Sequence, residues 1–390
     1  WESSKAGEGA EMLLDKAEKL ISQEQYQKAL PIYQCVVHEM VPVLQEADDS
    51  NGAIGDTIER GFEGLSVCAR TSAGESYRQE MFDYLFDEFD DKRYEGWSDW
   101  KWDFLEMAAE MVSTPQEQKR LFEKTDQFLK ERSKGDDWFR YDEEKVLNIK
   151  LTVVRRCGSP EEADGFLNKN LNHPSMRRQA IEFAFERKNY ERVKILAEDG
   201  IALDKQGNLR GLISGWTDWL LKAAQARRNP AEIKQYALAL FLDSGRDDYY
   251  KCYKKCFSGQ EWGQEAQRVI GILKKSRDHR GNASLPQVYI WEQRWQDLFD
   301  VVHQNSSAHM LSAYGGHLSS HFPKELVEVY EKVIVSELAP LVGRSHYQDL
   351  CRFLRQMKKL DTQGRVKTLI EELSVKYANR PAMLEEMKRI

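Results

Sequence analysis

The sequence has no hydrophobic run long enough to cross a membrane. A transmembrane helix needs about 18 to 20 mostly apolar residues, whereas the mean hydropathy of this chain is −0.66. The N-terminus also lacks the basic segment followed by an apolar one that marks a signal peptide. We therefore expect a soluble cytoplasmic protein that makes no membrane contact. Because it begins with Trp1 and not with methionine, we also expect a processed product or a fragment of a longer protein.

Cysteine is scarce, and positive charge is not in excess. Six cysteines among 390 residues are too few for a disulfide scaffold and favour a reducing compartment. The 57 Lys and Arg against 64 Asp and Glu give a net charge of −7, which is unlike a dedicated nucleic-acid-binding protein. Residues 1–110 hold 25 acids against 10 bases, so the later residues carry a positive balance. The N-terminal third therefore suits a basic partner, and charge does not exclude nucleic acid from the rest.

Motifs that carry catalysis are absent as well. The sequence contains no nucleophile elbow, phosphate-binding glycine loop, dinucleotide fingerprint or His-Glu-x-x-His helix. We predict a non-enzymatic protein with no cofactor in this chain. An enzyme stays a third possibility, which acidic or histidine side chains converging in one deep pocket would favour.

Helix signals dominate the sequence. Three segments place Pro at the first helical position and Glu at the third, after a capping Thr, Ser or Asn, and they begin at Thr114, Ser159 and Asn229. Pro286 and Pro323 predict two further helix starts, whereas Pro31 predicts a kink or a helix that begins later. Apolar residues recur at helical spacing, and strict alternation is rare. The sequence therefore predicts an all-α fold.

A weak repeat predicts how the helices are arranged. An aromatic residue followed by apolar residues three and six positions later recurs at Tyr26, Tyr190, Trp295 and Tyr347, with a poorer copy at Tyr250. This pattern is typical of the second helix in a two-helix hairpin. We predict an irregular α-solenoid of tetratricopeptide-like helical hairpins. The alternative is that a large helical protein produces such matches by chance.

The domain boundaries are faint in the sequence. Polar, glycine-containing segments at 131–137, 204–208 and 277–284 are candidate connections. They suggest an acidic N-terminal part at 1–135, a middle part at 136–280 and a mildly basic part at 281–390. One continuous solenoid is the alternative.

Two groups of residues resemble metal sites. His317 and His321 are four residues apart, so one helix would place both imidazoles on one face, although surface or capping histidines explain the pair as well. Residues 48–52, DDSNG, resemble a calcium loop but place Ile58 where a bidentate Glu is required, which predicts an ordinary loop that ends a helix. We predict no metal, with the histidine pair as a weak candidate.

Two surfaces are candidates for binding a partner. Acids alternate with aromatics between residues 83 and 103, and we name Asp83, Asp87, Asp90, Asp91 and Trp97 as a candidate surface for a basic protein partner. The alternative is a helix whose aromatics form the core and whose acids face solvent. Near the C-terminus, residues 351–390 hold ten Lys and Arg against five acids. That excess makes a nucleic-acid contact possible through a basic patch at Arg352, Arg355, Lys358 and Lys359.

Both ends of the chain resemble one known family. Residues 26–33 (YQKALPIY), 46–52 (EADDSNG) with Gly55 and Asp56, and 377–390 (YANRPAMLEEMKRI) are similar to the helical region C-terminal to the zinc finger of bacterial SWIM zinc-finger proteins. The part of the chain between these segments has a similar spacing of aromatic residues, at Tyr190, Trp216, Trp219 and Trp295. The Cys-x-Cys and Cys-x-His pairs of that finger are absent, so no zinc ligand carries over to this chain. The resemblance implies that the finger precedes Trp1 and that nucleic acid is a possible partner through it.

Overall fold

The structure, a computed structural model, describes residues 2–50, 52–71, 74–131, 138–207, 210–275 and 279–390, without the side chains of residues 2–6, 98, 210 and 279–283. The described residues form helices and no strand, which confirms the all-α prediction. None of these helices is both long and apolar enough to cross a bilayer.

The chain divides into two compact units, Trp1–Gly207 and Asn208–Ile390. This division falls inside the predicted middle part, 136–280. The predicted boundary at residue 135 and most of the candidate connection at 131–137 lie outside the described residues, as do residues 208, 277 and 278 of the other two connections.

The first unit is a succession of helices joined by short turns. Its described residues form α1 (Glu2–Ser22), α2 (Tyr26–Glu46), α3 (Ala53–Ala69), α4 (Glu75–Asp90), a 3₁₀ turn (Lys92–Tyr94), α5 (Ser98–Met111), α6 (Pro115–Glu131), α7 (Phe139–Cys157), α8 (Pro160–Lys169), α9 (Pro174–Glu186) and α10 (Tyr190–Gln206).

These helices form two layers. Most helices pack against the next one along the chain, and α3 also contacts α1 and α5, while α7 contacts α5 and α9. In the described part of this unit, successive even-numbered helices do not contact each other as extensively as these odd-numbered helices do. The odd-numbered helices therefore lie closer together than the even-numbered ones, and we call α1, α3, α5, α7 and α9 the odd layer.

Buried apolar side chains and two glycines hold the layers together. Leu14, Val37, Leu65, Leu85 and Leu105 are fully buried in one continuous core, and burial of each such side chain stabilises the fold by about 1.5–3 kcal/mol. On α3, Gly61 and Gly64 face α2, where a Cβ atom would meet the side chains of Val37 and Tyr33. On the opposite face of α3, Asp56, Glu59, Glu63 and Val67 are exposed to solvent.

The second unit is also helical throughout its described residues. They form α11 (Arg210–Ala226), α12 (Pro230–Ser244), α13 (Asp247–Lys254), α14 (Gly259–Lys275), α15 (His279–Trp291), α16 (Trp295–Gln304), α17 (Ala308–Leu318), α18 (Pro323–Val333), a π-helical turn (Ile334–Leu338), α19 (Arg344–Leu360), α20 (Arg365–Lys376) and α21 (Pro381–Met387).

Most of the proline-based predictions of helix starts are confirmed. Helices begin at Pro115, Pro160, Pro230 and Pro323. Ser159 and Glu162 form a reciprocal capping box, and Asn229 accepts a hydrogen bond from the Glu232 N–H. The prediction for Pro286 is wrong because this residue lies inside α15. Pro31 likewise lies inside α2, which begins before it at Tyr26.

One turn recurs four times between consecutive helices. Glu24, Lys188, Arg228 and Gln293 each adopt a left-handed conformation, with φ of 58°, 58°, 54° and 55°. In each copy, the N–H of the following residue donates to the carbonyl five positions earlier, as from Asn189 to Ala184. The next helix begins immediately afterwards, at Tyr26, Tyr190, Pro230 and Trp295. Tyr347 differs, because it lies in the first turn of α19 after Gly343.

The loop at residues 48–52 follows the end of α2, as predicted, and its Asp49 also caps the start of α3. Both carboxylate oxygens of Asp49 accept hydrogen bonds at 2.9 Å, from the N–H groups of Ile54 and Gly55 at the start of α3. Gly52 supplies the positive φ, 76°, that the turn requires. Asn51 lies outside the described residues.

Candidate functional site

The outward face of α5 is uniformly acidic. Asp99, Asp103, Glu106 and Glu110 are spaced by four, three and four residues, so they form one stripe along the helix. Most of the other side chains of α5 are buried, with Trp102, Phe104, Leu105 and Ala108 almost fully enclosed. The stripe therefore lies on the solvent side of the odd layer.

The contacts of these acids place the stripe between α3 and α7. The Tyr141 hydroxyl donates to Asp99, and Lys145 Nζ lies 2.7 Å from Glu106, both from α7. At the other end, Arg70, the residue that follows α3, donates to Glu110 through Nε at 2.6 Å and through Nη2 at 3.2 Å. Only Glu106 and Glu110 have a cation of this chain within ion-pairing distance in the described residues.

The acidic character continues onto α3 and α1. Glu59 and Glu63 are exposed on the face of α3 opposite Gly61 and Gly64, and no ion pair of the described residues includes either glutamate. Arg60 bridges from α3 to two acids of α1. We call the following nine residues the acidic surface: Asp15, Glu18, Asp56, Glu59, Glu63, Asp99, Asp103, Glu106 and Glu110. Arg60, Arg70 and Lys145 are the cations paired with it.

Asp103 is the most electrostatically strained member of this surface. The pKa of its carboxyl is raised to about 6, mainly by burial and also by the negative charges of Glu106 and Asp99, which together outweigh the lowering effect of Lys145. Asp103 therefore ionises only near neutral pH, and its charge destabilises the folded state.

Asp103→Asn should increase the free energy of unfolding by about 1 kcal/mol at pH 7.5, a figure that allows for the partial exposure of Asp103. The native pKa lies above the ordinary value of 3.8, so the native state binds more protons between these pKa values, and its stability falls as pH rises through them. The stabilisation by Asn should therefore largely disappear near pH 4. Urea denaturation of the variant and the native chain at both pH values measures this difference in stability. If Asp103→Asn is no more stable than the native chain at pH 7.5, the charge of Asp103 does not destabilise the folded state.

The acids predicted on α4 lie in the other layer, and two of the three bind cations of α6. Asp83 pairs with Arg120 and Asp90 with Lys124. The Arg120 guanidinium also lies 4.4 Å from the centre of the Phe86 ring. Asp87 alone among the acids of this candidate surface is exposed with no hydrogen bond or ion pair to the described residues. The basic partner of Asp83 and Asp90 in this structure is thus α6 of the same chain.

Asp91 and Trp97 have local structural contacts. Asp91 accepts a hydrogen bond from the Arg93 N–H at 2.8 Å, and the Arg93 guanidinium lowers the pKa of Asp91 to about 2. Trp97 precedes α5 and stacks on Trp100, with ring centres 4.9 Å apart. Trp97 is therefore the member of the predicted set that borders the acidic surface.

The predicted basic patch lies on α19. Arg352, Arg355 and Lys359 are exposed and follow one another at spacings of three and four residues, so they share a face. Arg352 pairs with Asp349 at 3.0 Å, and Lys358 donates to the backbone carbonyl of Ile390. Arg355 and Lys359 have no ion-pair partner in the described part of the chain.

The two candidate histidines do not share a helix. His317 belongs to α17, which ends at Leu318, and His321 follows in the turn. The His321 ring stacks on Trp295 with centres 4.5 Å apart. No group of three metal-binding side chains is found in the residues that the structure describes.

A groove of about 540 Å³ lies between the end of α3, the start of α4 and the end of α5. Its lining includes Arg70, Arg78, Arg156, Glu75 and Glu110, and no described histidine. Arg70 pairs with Glu110, Arg78 pairs with Glu75, and Arg156 donates to the Val112 carbonyl. The groove has no free carboxylate and base positioned for acid–base catalysis among its described residues.

The stripe on α5 was not predicted from the sequence, although the spacing of acids that marks it is visible there. The 4-3-4 spacing of four acids is visible between residues 99 and 110. The aromatic residues between 82 and 102 favoured the preceding helix, where Asp83 and Asp90 are paired with cations of α6. Sequence comparison adds no further information: no model of a known protein family matches the chain, and no curated protein is significantly similar to it.

Proposed function

We propose that this chain is a non-enzymatic protein-interaction scaffold, an irregular α-solenoid of tetratricopeptide-like hairpins. The repeated turn before Tyr26, Tyr190, Pro230 and Trp295 supports hairpins of one kind. The contacts among odd-numbered helices support stacking in which each hairpin touches its neighbours. Within the first unit, where the odd layer packs more closely than the other layer, the stack of helices curves toward the odd layer, which makes that layer its concave side.

We propose further that the acidic surface holds a basic segment of a protein partner. The observation that carries this proposal is the stripe on α5, where four carboxylates share one face and, among the described residues, only two pair with a Lys or Arg. Complementary charge steers association and selects the partner. The acids of α4 are less suited because α6 already neutralises Asp83 and Asp90.

The family to which the chain belongs is a separate question from the partner that it binds. We propose that the chain is the helical-repeat part of a SWIM zinc-finger protein, on the similarity of residues 26–33, 46–52 and 377–390. A nucleic-acid-associated role is the second candidate, and the observation that favours it is the exposed face of α19 with Arg352, Arg355 and Lys359.

The test compares two triple variants that change the net charge equally. Glu59→Gln, Glu63→Gln and Asp103→Asn neutralise acidic-surface residues that bind no cation directly. Glu39→Gln, Asp87→Asn and Glu198→Gln neutralise exposed residues of α2, α4 and α10, all outside the odd layer. The probe is a fluorescein-labelled 12-residue peptide of alternating basic residues and glycine, and the readout is anisotropy at 50 and 300 mM salt.

We expect the acidic-surface variant to weaken peptide binding about tenfold at 50 mM salt, because it removes two exposed charges and one half-buried charge that each contribute about 0.5 kcal/mol or more. The control variant should change the affinity less than twofold, and 300 mM salt should weaken binding to the native chain. Equal losses in both variants would contradict a specific surface. Retention of a labelled 20-nucleotide RNA, lost after neutralising Arg352, Arg355, Lys358 and Lys359, would instead support the second candidate.

A further inference from the structure

Two exposed indoles flank one end of the stripe on α5. Trp97 immediately precedes α5 and is 36% exposed, and Trp138 immediately precedes α7 and is 60% exposed. Every other described aromatic side chain of this unit is buried or half-buried, so these two are unusual. An exposed aromatic ring that is held in place provides a flat apolar surface at a low entropic cost to binding.

Both indoles pack against other aromatic rings. Trp97 lies over Trp100 with ring centres 4.9 Å apart and planes at 21°, and Trp100 in turn stacks on Phe62 of α3 at 6.1 Å. Trp138 packs edge-to-face on Tyr141 at 6.1 Å. Since Phe62 belongs to α3 and Tyr141 to α7, the indoles lie on opposite sides of α5.

Asp99 lies between the two aromatic groups. It follows Trp97 by two residues, and its Oδ1 accepts a hydrogen bond from the Tyr141 hydroxyl. No described residue donates to its other carboxylate oxygen. The N-terminal end of α5 therefore presents a carboxylate with one open oxygen beside two stacked aromatic groups.

We propose that this end of the acidic surface is a subsite for an arginine side chain of the partner, an inference that rests on the proposed function. A guanidinium is planar and cationic, so it stacks on an indole face and donates hydrogen bonds in its plane to a carboxylate. A lysine ammonium pairs with Asp99 but has no plane to stack. A nucleobase would also stack, but its phosphate would meet the excess of acids over bases in residues 1–110, 25 against 10.

The test uses two peptides that differ only in the basic residue, one alternating Arg and Gly and the other alternating Lys and Gly, both of 12 residues. We expect the native chain to bind the arginine peptide about fivefold more tightly. Trp97→Leu with Trp138→Leu should reduce that preference below twofold, and Trp97→Phe with Trp138→Phe should retain most of it. Circular dichroism checks that the variants fold, and quenching of indole fluorescence in the native chain by the arginine peptide gives a measurement that needs no variant.

The outcomes separate this inference from the proposed function. If neither peptide binds the native chain, the acidic surface itself is not a basic-peptide site, and both proposals fail. If both peptides bind the native chain equally, the proposed function stands and the arginine subsite is wrong. Tighter binding of a single-stranded oligonucleotide that depends on Trp97 and Trp138 would overturn the assignment to arginine.

Discussion

Glu117→Ala should lower the free energy of unfolding of the first unit by about 1.5 to 3 kcal/mol, because it removes a buried carboxylate that accepts several hydrogen bonds, while Arg78 keeps its ion pair with Glu75. Glu117 is buried and accepts hydrogen bonds from the Ser113 N–H at 2.9 Å, the Thr114 N–H at 3.1 Å and the Arg78 guanidinium. Arg78 is itself mostly buried and also donates to the Met111 carbonyl at the end of α5. Glu117 therefore joins α4, α5 and α6.

The pH dependence of this contribution follows from the pKa of Glu117. Burial raises that pKa, but the hydrogen bonds from Arg78, Ser113 and Thr114 outweigh burial and lower it from 4.5 to about 2. A carboxyl with a depressed native pKa stabilises the fold above its unfolded pKa, and this stabilisation is lost as pH falls from about 4.5 through about 2. The difference in the free energy of unfolding between the native chain and Glu117→Ala should therefore be smaller at pH 3.

Urea denaturation followed by circular dichroism measures the loss, and hydrogen exchange of α4 to α6 locates it. Glu123→Ala is the matched control on α6, since Glu123 is exposed and its one ion pair with the described residues is to Lys119 at 3.8 Å. We expect that control to cost less than about 0.5 kcal/mol. A loss below 1 kcal/mol for Glu117→Ala would show that the three helices are joined mainly by apolar packing.

Local features of the fold could be predicted from the sequence. The helix starts at Pro115, Pro160 and Pro230 depend on hydrogen bonds between residues three apart, so a short segment contains all the information. Pro286 shows the limit, because packing of α15 accommodates a proline that the segment alone assigns to a helix start. The left-handed turn residues were also unpredictable, since Glu24, Lys188, Arg228 and Gln293 are not the glycines that usually mark such positions.

The candidate site was harder to predict than the helices. Whether an exposed acid is open to a partner depends on residues far along the chain, as Asp83 and Asp90 show by pairing with Arg120 and Lys124 of α6. The stripe on α5 matters only because α5 lies in the odd layer. Membership of a layer is a property of tertiary contacts, and the spacing of acids within one helix does not contain it.

Gly64→Ala should destabilise the first unit by about 2 kcal/mol, although alanine is a better helix former than glycine by about 1 kcal/mol. A Cβ atom at position 64 would lie 2.1 to 2.3 Å from three ring atoms of Tyr33. Tyr33 is only 2% exposed, so its ring cannot turn into solvent. The substitution must therefore push α3 away from α2.

Gly165→Ala is the matched control, because Gly165 lies inside α8 and a Cβ atom there has no neighbour within 4 Å. It should stabilise the chain by about 1 kcal/mol, so the two identical substitutions should differ in sign when urea denaturation compares them. If both substitutions stabilise the chain, α2 does not pack on α3 as closely as the structure shows.

Because Glu59 and Glu63 lie on the face of α3 opposite Gly64, displacement of α3 should also weaken binding of the basic peptide. Gly165→Ala should leave that binding unchanged.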